Sequence, residues 1–206
     1  DYTTLRHQMV EEQIASRGIN DPLVLTAMKR VPRHLFVDES LQDRAYEDHP
    51  LPIGEGQTIS QPYMIALMAE ALKLAEGERV LEVGTGSGYL TAILAEHDVQ
   101  VCTVELSTHL AVRARTTLYA LGYQNVNVHV GDGTLGQPSE APFDAIVIGA
   151  AASSLPRPLL SQLRVGGRLV PRGVARVRGK GRKERLAALG KYAVDALERY
   201  LADPER

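Results

Sequence analysis

Apolar positions along the chain first recur at helical spacing. Leu5, Met9, Val10 and Ile14 mark one face of an amphipathic helix, and Gly18 supplies its stop. Asp21-Pro22 offers an N-cap and a first-turn proline to a second helix that carries Val24, Leu25 and Met28. From about Pro32 to Gln57 no period is sustained, and a stretch of that length predicts a lid or binding loop. Ser60 is expected to cap a third helix that reaches about Leu74, with Pro62 in its first turn. Short apolar runs then alternate with helical patterns. Strands are expected at Val80–Val83, Val99–Val104, Val126–Val130, Phe143–Ile148 and Arg168–Val170. Helices are expected from about Tyr89 to Glu96, from a Ser107 cap to a Leu121-Gly122 stop, and near Leu155–Leu163. This alternation predicts an α/β fold with a doubly wound, mostly parallel, Rossmann-like sheet. An N-terminal helical extension precedes the sheet, and a β-hairpin plus helix follows it. The expected organisation is one domain over residues 1–206. Residues 1–78 form helices and a substrate lid, 79–170 a cofactor-binding core, and 171–206 an atypical end.

Composition changes this picture little. A chain of 206 residues fits one such domain, and a formal charge of −2 gives no global pull toward nucleic acid. The lone Cys102 excludes an internal disulfide and suits a reducing, cytoplasmic compartment. No apolar run approaches a membrane span and no secretory signal is visible at the start, so no membrane partner is expected. Six scattered histidines show no metal-ligand spacing, and no metal is expected. The protein is expected to act as a monomer.

The most informative run is Val80-Leu81-Glu82-Val83-Gly84-Thr85-Gly86-Ser87-Gly88. An apolar strand passes through an acidic residue into three glycines spaced by one, and a helix pattern follows. Glycines let a backbone turn sharply and approach a ligand with no Cβ in the way. The following helix start offers amide donors. The spacing is neither the dinucleotide G-x-G-x-x-G nor a phosphate-cradling loop, which would need Lys-Ser/Thr after it. In a parallel sheet, ligands sit at the carboxyl ends of the strands. Glu105 ends the second strand, 21 residues after Gly84, where a carboxylate can accept from both ribose hydroxyls. It could equally serve as a helix N-terminal charge partner. Asp132, between Gly131 and Gly133 at the end of the third strand, could accept from an adenine amino group or simply form a turn.

An acidic residue before G-x-G-x-G resembles the first motif of class I S-adenosylmethionine-dependent methyltransferases. After the fourth strand, Gly149-Ala150-Ala151-Ala152-Ser153 lacks the Asn/Asp-Pro-Pro-aromatic motif that amine-directed methyltransferases carry, which argues against N-methylation. Upstream, Leu51-Pro52-Ile53-Gly54-Glu55-Gly56-Gln57-Thr58-Ile59-Ser60-Gln61-Pro62-Tyr63-Met64 resembles the signature of protein-L-isoaspartate (D-aspartate) O-methyltransferases. Val31-Pro32-Arg33-His34-Leu35-Phe36, Ala141-Pro142-Phe143-Asp144 and Gly166-Gly167-Arg168-Leu169-Val170 resemble the same family in the same order, so the likeness covers about residues 5–170. It implies methyl transfer from S-adenosylmethionine to the free carboxylate of L-isoaspartyl or D-aspartyl residues in damaged proteins, with S-adenosylhomocysteine as product. It also implies that Ser60 is the active-site residue and that Ile53, Gln57, Thr58, Ile59 and Ser60 meet the peptide. Glu82, Gly84, Thr85, Gly86, Ser87, Gly88, Glu105, Asp132 and Gly133 would hold the cofactor. The chemistry suits these residues. A carboxylate with a pKa of about 4 is already ionised at neutral pH and needs no general base. Alignment of the reacting atoms can lower the barrier by roughly 7–11 kcal/mol.

After Val170 the sequence is expected to leave that family. Val174–Leu186, with Gly179-Lys180-Gly181, resembles a strand–turn–strand of integrase-type tyrosine recombinases, and the likeness covers about residues 174–203. Residues 172–185 hold seven Lys/Arg against Glu184, a net of +6. Two further readings follow. One is a chimera that binds the cofactor with weak or no methyl transfer. The other is a nucleic-acid-binding module built on the basic hairpin. No recombinase Arg-His-x-x-Arg element or nucleophile tyrosine accompanies the hairpin, so nucleic acid is not the expected partner, and an edge hairpin that completes the sheet fits better.

Overall fold

The structure, a computed structural model, describes residues 1–149 and 156–171, together with the backbone of 174–178 and 184–188. Helix α1 (Tyr2–Gln8) starts on Asp1, whose side chain accepts from the Thr3 amide. The expected single helix to Gly18 changes pitch instead. A π-helical stretch, Met9–Ile14, and a 3-10 turn, Ala15–Arg17, lead to Gly18 in the left-handed region. The wider turn re-aims the apolar face, so that Met9, Val10 and Ile14 are buried while Leu5 stays exposed. Helix α2 (Pro22–Arg30) begins as expected, with Asp21 accepting from the Leu23 and Val24 amides.

The segment with no readable period contains two 3-10 turns, Arg33–Phe36 and Glu39–Arg44, and then a short antiparallel hairpin of β1 (Leu51–Gly54) and β2 (Gln57–Ile59). Its turn has positive φ at Gly54, Glu55 and Gly56. Helix α3 (Pro62–Leu72) corrects one expectation: Gln61, not Ser60, is its N-cap. Pro62 occupies the first helical position, which places the cap on the residue immediately before it. Ser60 therefore lies outside the helix, between it and β2.

The core sheet comprises β3 (Arg79–Val83), β4 (Gln100–Glu105), β5 (Val126–Val130), β6 (Phe143–Ile148) and β7 (Leu163–Pro171), linked by α4 (Tyr89–Ala95), α5 (Thr108–Ala120) and α6 (Arg157–Gln162). The spatial order is β5-β4-β3-β6-β7, and every neighbouring pair is parallel. Ser107 caps α5 through the Leu110 amide, and Gly122, at φ 86, follows its end. The inner strand β6 is buried at every position while the edge strand β5 is only partly buried, as a sheet covered on both faces requires. Alternation along the strands divides the core. Val80, Val101, Ala145 and Val147 join the larger cluster with the N-terminal helices, α3 and α4. Leu81, Cys102, Val104, Ile146 and Ile148 form a smaller one with Leu159 of α6.

At the C-terminal end the expected hairpin is present as β8 (Val174–Arg178) and β9 (Glu184–Ala188). It pairs with itself as a separate two-stranded sheet and does not extend the edge of the core sheet. The expected helix after it and Lys180 lie outside the described residues. No helix among the described residues is long and apolar enough to cross a membrane.

Candidate functional site

Strand order reverses between β4 and β6 on either side of β3, and a crevice opens there at the carboxyl ends of the strands. Three backbone bonds hold the strand tips level. The Gly84 amide donates to Val104, Gly131 to the Glu105 carbonyl and Gly149 to Val83, at 2.8, 2.9 and 2.8 Å. A cavity of about 250 Å³ lies above them.

That cavity brings together most residues singled out from the sequence. Gln57, Thr58, Ile59 and Ser60 form one wall; Glu82, Gly84, Thr85, Gly86, Ser87, Glu105, Asp132 and Gly133 form the other. Two of those residues stand behind the lining. Ile53 is buried, and its Cδ1 lies 3.6 Å from the place a Gly86 Cβ would take. Gly88, at φ 87, faces α5; a Cβ there would lie 3.2 Å from the Ala114 Cβ. Both support the loop from below. The structure adds residues that no motif marked: Ile65, Met68, Tyr89, Leu90, Leu106 and Gly149 also line the cavity. Leu106 is 76% exposed, an apolar side chain with an uncovered face beside Glu105. Its position immediately after an acidic strand end was the available signal.

The glycine loop is not the open amide cradle that its sequence suggested. Its Gly86 amide donates to Glu105 Oε2 at 2.8 Å, Gly88 to the Thr85 carbonyl at 2.9 Å, and Tyr89 to Ser87 Oγ at 3.3 Å. Glu105, 8% exposed, also accepts from the Ser107 amide through Oε1 at 3.0 Å. One carboxylate therefore both clamps the loop and caps the turn into α5, so the two sequence readings of Glu105 describe one side chain. A loop whose Gly84, Gly86 and Gly88 amides are already engaged, and which faces carboxylates, is a poor anion site. It suits a neutral or cationic nucleoside.

Glu82 is 1% exposed and accepts from Thr91 Oγ1 at 2.5 Å. Burial pushes its carboxyl up to about 7 against the lowering effect of hydroxyl bonds from Thr91 and Thr103. Thr103 Oγ1 in turn meets Thr85 Oγ1 at 2.6 Å, which links Glu82 to the loop. Asp132 accepts from the Thr134 amide and hydroxyl at 2.9 and 2.7 Å, and these bonds lower its pKa. Gly133 is sterically required: an added Cβ would stand 2.6 Å from Val83 Cγ1. Gly133→Ala is expected to cost roughly 1–3 kcal/mol of stability through this overpacking. Urea denaturation measures it, and a Val83→Ala background should absorb most of the loss; equal costs in both backgrounds would refute the steric account.

Cys102, His129 and Glu140 converge in space although their histidine carried no sequence spacing. His129 Nε2 lies 2.5 Å from Glu140 Oε1, and burial together with Glu140 pushes the Cys102 thiol up to about 12. At neutral pH the proton stays on sulfur.

Residues 4–183 match the family described as protein-L-isoaspartate(D-aspartate) O-methyltransferase. The chain is 56% identical over 170 residues to protein-L-isoaspartate O-methyltransferase 1 of Syntrophobacter fumaroxidans, covering 82% of this chain and 79% of that one. It is 56% identical over 165 residues to the protein-L-isoaspartate O-methyltransferase of Methanoculleus marisnigri, covering 80% and 75%. A solved protein-L-isoaspartate O-methyltransferase superposes with a TM-score of 0.75 at 28% identity, over 96% of this chain and 69% of that one. A Plasmodium falciparum structure, described as a putative enzyme of this kind in complex with S-adenosyl-L-homocysteine, superposes with a TM-score of 0.70 at 28% identity, over 88% and 87%. The family match continues past Val170 to residue 183, which overturns the expected departure there; nothing in these similarities supports a recombinase segment or a chimera.

Proposed function

Because the chain belongs to the protein-L-isoaspartate (D-aspartate) O-methyltransferase family, a protein-repair enzyme that uses S-adenosylmethionine, we propose the following division of labour across its cleft. Residues 79–170 form the cofactor wall and residues 1–78 the acceptor wall. The fit of the cofactor is supported by the carboxylates of Glu82, Glu105 and Asp132 around the cavity and by loop amides already engaged. When bound, S-adenosylmethionine supplies an electrophilic methyl group on a sulfonium. Glu105, held by two backbone amides, keeps lone pairs for the ribose hydroxyls. Asp132 and Gly133 leave a narrow backbone edge for the adenine, and the uncovered side chain of Leu106 packs on its face. Thr85, Ser87 and Glu82 close the floor.

On the other side, the β1–β2 hairpin presents Gln57 and Thr58 to the peptide, with Ile59 buried beneath. It is tied to α5 by Arg113, whose Nη1 donates to the Ile53 carbonyl at 3.3 Å while Nη2 pairs with Asp38 at 2.9 Å. Ser60 donates a hydrogen bond to the acceptor carboxylate and orients it. No base is needed, because the acceptor is already ionised at neutral pH. The enzyme works as a single chain in the cytoplasm; the lone, buried thiol of Cys102 supports the reducing compartment.

The observation that carries this assignment is that the Thr58–Ser60 segment and residues Gly84–Ser87 of the glycine loop face one cavity. The test is methylation of an isoaspartyl peptide and its normal aspartyl twin with labelled cofactor. The wild type should methylate only the isomerised peptide, and Ser60→Ala should lower its kcat/KM by about ten- to a hundredfold, the loss of one orienting hydrogen bond. Equal labelling of the two peptides would reject the substrate assignment; an unchanged Ser60→Ala would reject the role of the hydroxyl.

A further inference from the structure

Arg33 is the largest fully buried side chain among the described residues, with no exposed surface. Its Nε donates to the Ala45 carbonyl at 2.7 Å and its Nη2 to the Ser60 carbonyl at 2.8 Å. The guanidinium carbon sits 4.9 Å from the centroid of the Tyr89 ring. The remaining nitrogen, Nη1, is buried with no hydrogen-bond partner. Among the described residues no carboxylate pairs with Arg33, and the two hydroxyls that favour its charged form, those of Tyr89 and Tyr46, carry no charge at neutral pH. Ser60 and Tyr89 both line the cleft, so the guanidinium stands directly behind its acceptor wall.

A buried cation with one orphaned donor and no counter-ion is costly to the fold, and such a group asks for an explanation outside folding. The carboxyl side chains that line the cleft, Glu82, Glu105 and Asp132, belong to the opposite, cofactor wall. An anionic acceptor entering such a cleft would meet repulsion from that wall unless a positive charge stood on its own side.

We infer that Arg33 is a positioning residue that precharges the acceptor wall: it fixes the Ser60 backbone and supplies the uncompensated positive charge that selects a carboxylate over a neutral group of the same shape. The inference rests on Ser60 marking the acceptor subsite. Arg33 does not touch the reacting atoms. Its charge acts through one residue of protein, in a medium of low effective dielectric where a single charge is felt several ångströms away.

A merely structural brace would weaken all peptides equally, whereas a charge discriminates between them. The experiment is calorimetric binding, with saturating S-adenosylhomocysteine, of an isoaspartyl peptide and of the same peptide with its free α-carboxylate converted to the carboxamide. The wild type should prefer the carboxylate by about tenfold or more. Arg33→Met should lose most of that preference while keeping its affinity for S-adenosylhomocysteine. Arg33→Lys, which keeps the charge but cannot make both carbonyl bonds with the same geometry, should weaken both peptides and retain the preference. A preference unchanged in Arg33→Met, or lost in Arg33→Lys, overturns the inference; the lysine variant decides alone if the methionine variant does not fold. If Ser60→Ala leaves the binding of both peptides unchanged, the acceptor subsite itself has been misplaced, and that failure is distinct from a charge that does not matter.

Discussion

Replacing Glu105 with alanine is expected to lower affinity for S-adenosylhomocysteine by about a hundredfold or more, and to destabilise the protein by roughly 2–4 kcal/mol. The large effect follows from three demands placed on one side chain. Its Oε2 fixes the Gly86 amide and its Oε1 the Ser107 amide, each through a charge-assisted bond in a nearly water-free setting. Alanine strands both donors. The glycine loop is then free to leave the position in which its backbone faces the ligand, and the ribose loses its acceptor as well. Glu105→Gln separates the two contributions. An amide oxygen can still accept from one backbone N–H, but the charge is gone and the NH₂ group opposes the second. The glutamine variant should therefore recover part of the stability and little of the affinity. Isothermal titration with S-adenosylhomocysteine and urea denaturation measure the two quantities. If alanine leaves cofactor affinity within a few-fold of the wild type, the strand tips are not the cofactor site.

The second large effect concerns Glu82 and pH. Burial raises its carboxyl from the ordinary value of 4.5 to about 7 in the folded protein. Between those two values the folded state holds a proton that the unfolded chain has released. Stability therefore falls as pH rises across this window, and the loss is complete just above pH 7. A shift of this size corresponds to about 3 kcal/mol between the two ends of the window. Glu82→Gln removes this titration, so it should lack the part of the decline that Glu82 imposes on the wild type. Because every other carboxylate is common to both proteins, the difference between their unfolding free energies isolates this one group. Urea unfolding at intervals from pH 4 to pH 8 provides the measurement. Parallel profiles for the two proteins would show that Glu82 titrates normally. The position also explains why glutamate is tolerated on a core strand. Thr91 and Thr103 supply hydroxyls that can donate to the carboxylate or accept from the acid, so either protonation state is hydrogen-bonded.

Much of this architecture was legible in the residue order. Val80–Val83 and Phe143–Ile148 are nearly continuous apolar runs, Val126–Val130 alternates apolar and polar, and the strands lie there to within a residue. The caps at Asp21 and Ser107 and the stop at Gly122 were equally readable, because a cap is a local bond between neighbours in sequence. The candidate site was visible for a related reason. In a parallel sheet every strand delivers its last residue to the same edge, so acidic and glycine residues at three successive strand ends must converge. What escaped was whatever depends on partners distant in sequence. The β1–β2 hairpin is short and half exposed, with no hydrophobic period long enough to register. The pitch change after Gln8 shows only in which residues of the first helix reach the core. Ser60 looked like a cap because serine caps helices well, but Pro62 had already assigned that place to Gln61.

Sequence by itself determined the sheet, the order in which its strand tips carry Glu82, Glu105 and Asp132, and the membership of residues 4–183 in one enzyme family. Tertiary structure alone decided how those groups are spent. It engaged the Gly86 amide with Glu105, lifted the proton affinity of Glu82, and placed Arg33 behind Ser60 with no carboxylate paired to it among the described residues. Strand ends follow from chain connectivity and short-range sterics, which residue order encodes directly. Proton affinities and buried charge follow from which distant groups exclude water together, and no local pattern records that.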